Sequence, residues 1–427
     1  MASHLNEKEL RLGWVTKRYG DGIALIEQGK IPPAPLQIEI HPYHCAQAMP
    51  CNNRCIWCTR LEDKIALKSG QVEGIDPDRL IAFIASLAGS GVRRIVVSGN
   101  STEPLLYPRI EEVIQVIHGA DMNWVLYTNF YYGRKIIDAA VEFARPGDVL
   151  RVSLDAGNEA AYLKTHRPQD GPGAFRTVVA NLTALLQERT RRGAPLSVGI
   201  AYLMTNDNSS EQELTSAIVW AEQVGVDFLR FSVPLKPTHQ NPEFALAEDE
   251  AARIKRRISR LAWQHELRRG LCASRMRIEI RQDEVEQGPK PFRVCHHCKL
   301  IPVLGVRGKL YPCTSTSTED FDHLGLGNIN DPNFENTFWG IWRDPGKWRH
   351  NTGGCPDCTR FEYDLNTEIE RRIARAGYQS ECELGPSHHD LVASPSAKAD
   401  SKRAACGESL VDSIEHTKSV PNAPLRL

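Results

Sequence analysis

Three cysteines fall within eight residues, Cys51-Asn52-Asn53-Arg54-Cys55-Ile56-Trp57-Cys58, a C-x3-C-x2-C spacing. Three thiolates on one short loop can wrap three corners of a 4Fe-4S cube and leave the fourth iron open. A vacant metal position is what separates a catalytic site from a structural one. A zinc loop completed by a distant ligand such as His44 or Cys45 is the competing reading. A second group comprises Cys295, Cys298, Cys313, Cys355 and Cys358. Its spacing runs Cys298-x9-Gly308-x4-Cys313 and then Cys355-x2-Cys358, and Cys295-x2-Cys298 with Cys355-x2-Cys358 also suits the two knuckles of a zinc ribbon. Cys272, Cys382 and Cys406 stand alone, as small buried hydrophobes or loop residues do.

The rest of the composition bounds the chemistry. The chain has 427 residues, with 52 Lys+Arg against 53 Asp+Glu. That balance argues against a protein held to nucleic acid by bulk phosphate attraction. No apolar run approaches the roughly 20 residues of a membrane span, and MASHLNEKEL lacks a signal-peptide core. These features predict a cytoplasmic protein of two or three domains with no membrane or nucleic-acid partner. In a reducing compartment, clustered cysteines read as metal or redox chemistry rather than disulfides.

The elements that must carry these cysteines alternate. Leu36 to Ile40 has the period of a strand. Asp76 and Pro77 open a helix whose Leu80, Phe83, Ile84 and Leu87 share one face. Strands follow at Ile95–Ser98, Trp124–Thr128, Val149–Leu154, Leu196–Leu203 and Phe228–Ser232, separated by helices at Ile110–Ile117, Arg134–Ala144, Ala174–Arg192 and Glu211–Gln223. This predicts an α/β fold, a partial (βα)6 TIM-type barrel over residues 36–270 with a charged helix from about Ala247 to Arg269 at its end. An N-terminal extension occupies 1–35. Residues 271–370 form a small β-hairpin/helix module with a strand at Met276–Ile280 and a hairpin about Arg307-Gly308. Residues 371–427 read as a helix remnant and a flexible tail.

The C-x3-C-x2-C loop with Trp57 before its last cysteine, placed after the first strand of such a sheet, resembles the radical S-adenosylmethionine (radical SAM) superfamily. The resemblance implies a 4Fe-4S cluster on Cys51, Cys55 and Cys58 whose open iron chelates SAM. Reductive cleavage then yields a 5'-deoxyadenosyl radical that takes hydrogen from the substrate, with an electron donor such as flavodoxin or ferredoxin as partner. Further segments are similar to the family's SAM-binding motifs and lie at strand ends, where such folds place active sites. Ser98-Gly99-Asn100-Ser101-Thr102-Glu103-Pro104 resembles Gly-Gly-Glu-Pro, with Gly99, Asn100 and Glu103 facing the methionine amine, although Asn100, Ser101 and Thr102 replace a compact Gly-Gly. Asn129 follows the third strand, Ser153 ends the fourth, and Arg167 is a carboxylate partner by its bidentate geometry.

The second module resembles the SPASM/Twitch extension in its shorter Twitch form, implying one auxiliary 4Fe-4S cluster on Cys298, Cys313, Cys355 and Cys358. Cys295 is then surplus, and it and Cys272 are candidate hydrogen donors. The function expected is oxidation or epimerisation of a polar small molecule (a sugar, aminocyclitol or nucleoside) in natural-product or antibiotic biosynthesis. The alternative is a ribosomal-peptide maturase using the same chemistry. His166, Arg230 and His239 are polar pocket candidates.

Overall fold

The computed structural model describes residues 20–28, 30, 32–47, 49–58, 67, 72–232, 248–271, 275–281, 290–344, 350, 352–356 and 358–375. Its centre is an α/β sheet of nine strands, β1 Gln37–Ile40, β2 Arg94–Val97, β3 Asn123–Thr128, β4 Val149–Ser153, β5 Ser197–Leu203, β6 Phe228–Ser232, β7 Arg277–Arg281, β8 Val303–Leu304 and β9 Leu310–Tyr311. They lie in the order β7-β6-β5-β4-β3-β2-β1-β8-β9. Every pair is parallel except β8 with β9. The six central strands run in chain order, the winding of a partial TIM-type barrel.

Two edge strands extend what the sequence pattern gives. Arg277–Arg281, expected in the small module, pairs in parallel with β6. The hairpin β8–β9 pairs through β8 with β1, Glu39 opposite Val303. Alternation marks a segment as a strand but not the sheet it joins, because backbone hydrogen bonds are the same in either.

The helices are α1 over residues 20–27, then α2 Pro77–Ser86, α3 Ile110–Gly119, α4 Ile137–Glu142, α5 Glu159–His166, α6 Ala174–Arg192, α7 Glu211–Val224, α8 Glu248–Leu271, α9 His297–Leu300, α10 Phe334–Arg343 and α11 Arg360–Arg375. Their ends follow from local chemistry. Asp76 accepts from the Arg79 N–H and Pro77 opens α2, and Ser210 caps α7 before Gly225 closes it in the left-handed region. The main core packs Leu80, Phe83, Ile114 and Leu182 of the helices against Ile38, Ile95, Trp124 and Val198 of the sheet. A smaller core joins Ile23 and Ile26 of α1 to Leu300 and to Leu365 and Ile369 of α11, and Arg372 pairs with Glu27 at 3.0 Å. The N-terminal segment is thus tied to the C-terminal helix. The tail expected after 371 lies outside the described residues from 376 onward. Among the described residues no helix is long and apolar enough to cross a membrane.

Candidate active site

The C-terminal ends of β2 to β6 open into one cavity of about 450 Å³, lined by Cys51, Cys55, Trp57 and Cys58 on one side and by strand ends on the other. The cysteine loop is pinned from both flanks. The Arg54 N–H donates to the His166 carbonyl at 2.9 Å, Ile56 to Thr165 at 3.0 Å, and Gln169 to Asn52 at 2.9 Å. Asn129, at the end of β3, donates its Nδ2 to Asn52 Oδ1 at 2.8 Å. The three thiols are half-buried. A loop held at its backbone with its sulfurs facing one cavity fits a three-cysteine cluster with an open iron, because the backbone needs no rearrangement to present them.

The Gly99–Glu103 segment turns tightly over the end of β2. A Cβ on Gly99 would lie 1.7 Å from the Thr102 carbonyl oxygen, so only glycine fits there. Asn100 adopts φ 43, and its Nδ2 lies 3.4 Å from the Ser317 hydroxyl. Glu103 is buried. Its Oε1 accepts from the Leu105 N–H at 3.1 Å and from the Thr128 hydroxyl, and its Oε2 from the Asn129 N–H at 2.9 Å. Glu103 therefore locks β3 to this turn as well as facing the cavity.

His166 closes the floor. Its Nε2 lies 2.9 Å from the Leu154 carbonyl and 3.1 Å from Asp155, its Nδ1 is 3.3 Å from Cys55 Sγ, and its ring stacks on Tyr162 and meets Trp57 edge-on. On the opposite wall, Glu39 Oε1 accepts from Ser98 at 2.7 Å and meets His41 Nε2 at 2.9 Å, while Oε2 accepts from Thr314 at 2.9 Å. Burial opposes its charge, but the His41, Ser98 and Thr314 contacts outweigh burial and hold the carboxyl at about 2.

Of the residues singled out from sequence, Cys51, Cys55, Cys58, Trp57, Gly99, Asn100, Glu103, Asn129, Ser153, His166 and Arg230 line this cavity. Arg167 does not. It ends α5 in the left-handed region with its side chain exposed, and its backbone carbonyl, not its guanidinium, meets the cysteine loop. The cavity's arginines are Arg151 on β4 and Arg230 on β6. Arg151, Tyr127, Glu39 and Asp155 also line the cavity. Charged residues inside otherwise apolar parallel strands (Ile38-Glu39-Ile40, Leu150-Arg151-Val152) were the signal for the first and third of these.

A second cavity is lined by Cys295, Cys313, Cys355 and Cys358, with His350 and Glu362. Cys298, expected as its ligand, is not on it: the side chain is fully buried in the main core and its Sγ meets the Cys295 carbonyl at 3.0 Å. Cys295, expected as surplus or as a hydrogen donor, lines the second cavity. Cys298 lies inside α9 with its thiol against that of Cys295, whereas Cys295 precedes the helix and receives Asn366 Nδ2 at 3.8 Å. His350 Nε2 sits 2.8 Å from Cys355 Sγ. Burial pushes the Cys355 and Cys358 thiols up to about 12 and the Glu362 carboxyl up to about 7. Among the described residues no three His, Cys, Asp or Glu side chains are grouped as for a single metal ion. Cys272 and His239 lie outside the described residues.

A pinned C-x3-C-x2-C loop thus faces the strand-end cavity. Residues 50–216 match the model of the Radical SAM superfamily, and the chain carries a radical SAM domain. No curated protein sequence matches it. Among solved structures it is similar to Streptococcus suis SuiB, with 11% identity, TM-score 0.51, and 81% of this chain and 73% of that chain covered. The structure of SuiB bound to precursor peptide SuiA gives 12% identity and TM-score 0.53 over 81% of this chain and 72% of that chain. SuiB bound to S-adenosylmethionine gives 12% identity and TM-score 0.51 over 79% and 74%. At these identities the likeness is one of fold.

Proposed function

We propose that the chain is a radical SAM enzyme that removes a hydrogen atom from a polar small molecule of sugar, aminocyclitol or nucleoside kind and oxidises or epimerises a hydroxyl-bearing carbon. When bound, the 4Fe-4S cluster and SAM supply a 5'-deoxyadenosyl radical on receipt of an electron from a donor such as flavodoxin or ferredoxin. Cys51, Cys55 and Cys58 would hold the cluster, and the Gly99–Glu103 turn with Asn129 would receive the methionine end of SAM. Trp57 and His166, in edge-on contact on the cavity lining, would limit access of water. Glu39, held at about 2, stays an acceptor at neutral pH and is too weak a base to deprotonate an alcohol. Its role is to orient hydroxyl groups through Ser98 and Thr314.

The observation that carries oxidation is the wall between the two cavities. Along the segment 313–316, Cys313, Ser315 and Thr316 face the second cavity while Thr314 faces the first. Cys295, Cys313, Cys355 and Cys358 would hold an auxiliary 4Fe-4S cluster behind this shared wall, where it could accept an electron from the substrate side. Four sulfurs on four irons leave no open position for substrate.

One observation favours the alternative, a ribosomal-peptide maturase: SuiB, similar in fold, is known bound to a precursor peptide. Anaerobic incubation with SAM, reductant and candidate substrates, read by mass spectrometry, separates the readings. A loss of two hydrogens or deuterium uptake in a small hydroxylated compound supports the first. The same changes in a peptide, with none in the small compounds, replace it with the second.

A further inference from the structure

We propose that His350 and Lys290 raise the reduction potential of an auxiliary 4Fe-4S cluster held in the second cavity; this rests on the reading of that cavity as a cluster site. His350 acts by a hydrogen bond to the Cys355 sulfur, and Lys290 by a positive charge on the turn from Cys355 to Cys358. His350 is built into the ligand set at two points. Its Nε2 lies 2.8 Å from Cys355 Sγ, and its carbonyl accepts from the Cys295 N–H at 3.0 Å. The residue is 3% exposed. The segment after it is tied to the residues before Cys295: Thr352 donates its N–H to the Arg293 carbonyl at 3.0 Å and its hydroxyl to the Phe292 carbonyl at 3.2 Å, and the Cys355 N–H donates to the Thr352 carbonyl at 3.2 Å. The backbone on both sides of the ring is thereby fixed relative to two of the four sulfurs.

A sulfur bound to iron is a thiolate with no proton to give, so of the two ways to make the His350 bond only donation from the Nε2–H survives loading. A neutral imidazole supplies it, and no change of charge on His350 is involved. The other sulfurs have longer contacts: Cys295 receives Asn366 Nδ2 at 3.8 Å, and Cys313 meets the Thr316 hydroxyl at 3.7 Å. Lys290 works on the backbone of the same turn. Its Nζ donates to the Pro356 carbonyl at 2.9 Å and to the Cys355 carbonyl at 3.5 Å. Burial disfavours the Cys355 and Cys358 thiolates, and Lys290 is the positive charge that favours both.

The sign of the effect follows from charge. One-electron reduction adds a negative charge to the cluster, shared in part by its sulfurs. Burial resists that charge, whereas a hydrogen bond at a sulfur and an ammonium beside the turn stabilise the reduced form more than the oxidised one. Both residues therefore raise the potential. A cluster that is to take an electron from the first cavity needs its reduced form favoured in this way.

A redox titration of the anaerobically reconstituted full chain, followed by electron paramagnetic resonance, tests this without turnover. Saturating SAM perturbs the signal of the cluster it binds, so the signal it leaves unchanged belongs to the second cavity. For that signal, His350→Phe should cut the ratio of reduced to oxidised cluster at the wild-type midpoint about tenfold, a fall of about 59 mV for one electron. His350→Gln, which keeps an N–H donor, should fall between. Lys290 is half-buried and more screened, so Lys290→Met should cut the ratio about threefold and Lys290→Arg should match wild type. All four variants should keep roughly eight irons per chain and the wild-type midpoint of the SAM-perturbed signal. Unshifted midpoints in His350→Phe and Lys290→Met at full iron would overturn the proposal. So would a His350→Phe chain with only about four irons, which would make His350 a ligand or a prop of the cluster. A wild-type chain that holds about four irons and shows the SAM-perturbed signal alone would instead remove the cluster reading of the second cavity and leave the first untouched.

Discussion

The two cavities differ in what they can admit. The first opens at the ends of five parallel strands, mixes carboxylates, guanidinium groups and hydroxyls, and holds its three thiols on a loop pinned through its backbone and the Asn52 and Asn53 side chains. The second is walled by four thiols, with Cys313 flanked by Thr316 and Cys355 by His350, and burial raises the Cys313, Cys355 and Cys358 thiols. An open mouth with an incomplete ligand set suits exchange of ligands, whereas a closed pocket with four sulfurs suits a group that stays. With the thiols raised, the auxiliary cluster proposed for the second site would load with release of protons, so its loading should tighten as pH rises.

The sharpest way to break this contrast is by deletion. Cys58→Ala should abolish 5'-deoxyadenosine formation from SAM; unchanged cleavage, measured by mass spectrometry, removes the ligand assignment. Next, reconstituted wild type should carry roughly eight irons per chain, and Cys295→Ala or Cys355→Ala roughly four, two 4Fe-4S clusters becoming one. Cys298→Ala should keep roughly eight. The reverse pattern in a colorimetric iron assay would restore Cys298 as the ligand.

A smaller effect concerns the SAM-facing turn. Gly99→Ala puts a methyl on the Thr102 carbonyl and should weaken SAM binding by about tenfold or more, with both clusters retained. Smallest is a pH effect confined to the second cavity. Burial raises Glu362 from an ordinary carboxylate value to about 7. Its protonated form is therefore favoured by the fold, and the stability this lends the iron-free protein is complete below about pH 4.5 and lost as pH rises through about 7. The loss is on the order of 3 kcal/mol. Urea unfolding between pH 5 and 8 should show it in wild type and not in Glu362→Gln.

The first site was readable because its parts are contiguous. Cys51 to Cys58, Ser98 to Pro104 and Ser153 to Asp155 each lie on one turn after one strand, and parallel βα winding brings those turns to one edge. Arg167 lies off the cavity lining, exposed at a helix C-cap in the left-handed region, a placement no spacing reveals. Arg151 was legible only as a charge within an apolar strand. The second site is assembled from α9, the β9 end and the start of α11, so its four sulfurs depend on packing. Spacing pointed to Cys298 over Cys295, and only packing shows that Cys295 is the one lining the cavity.

The most direct test is made on the wild-type chain. After anaerobic reconstitution, SAM and dithionite are added and 5'-deoxyadenosine is quantified by mass spectrometry. Formation of 5'-deoxyadenosine and methionine with loss of SAM is the result predicted. Intact SAM in a preparation fully loaded with iron and sulfide would contradict it.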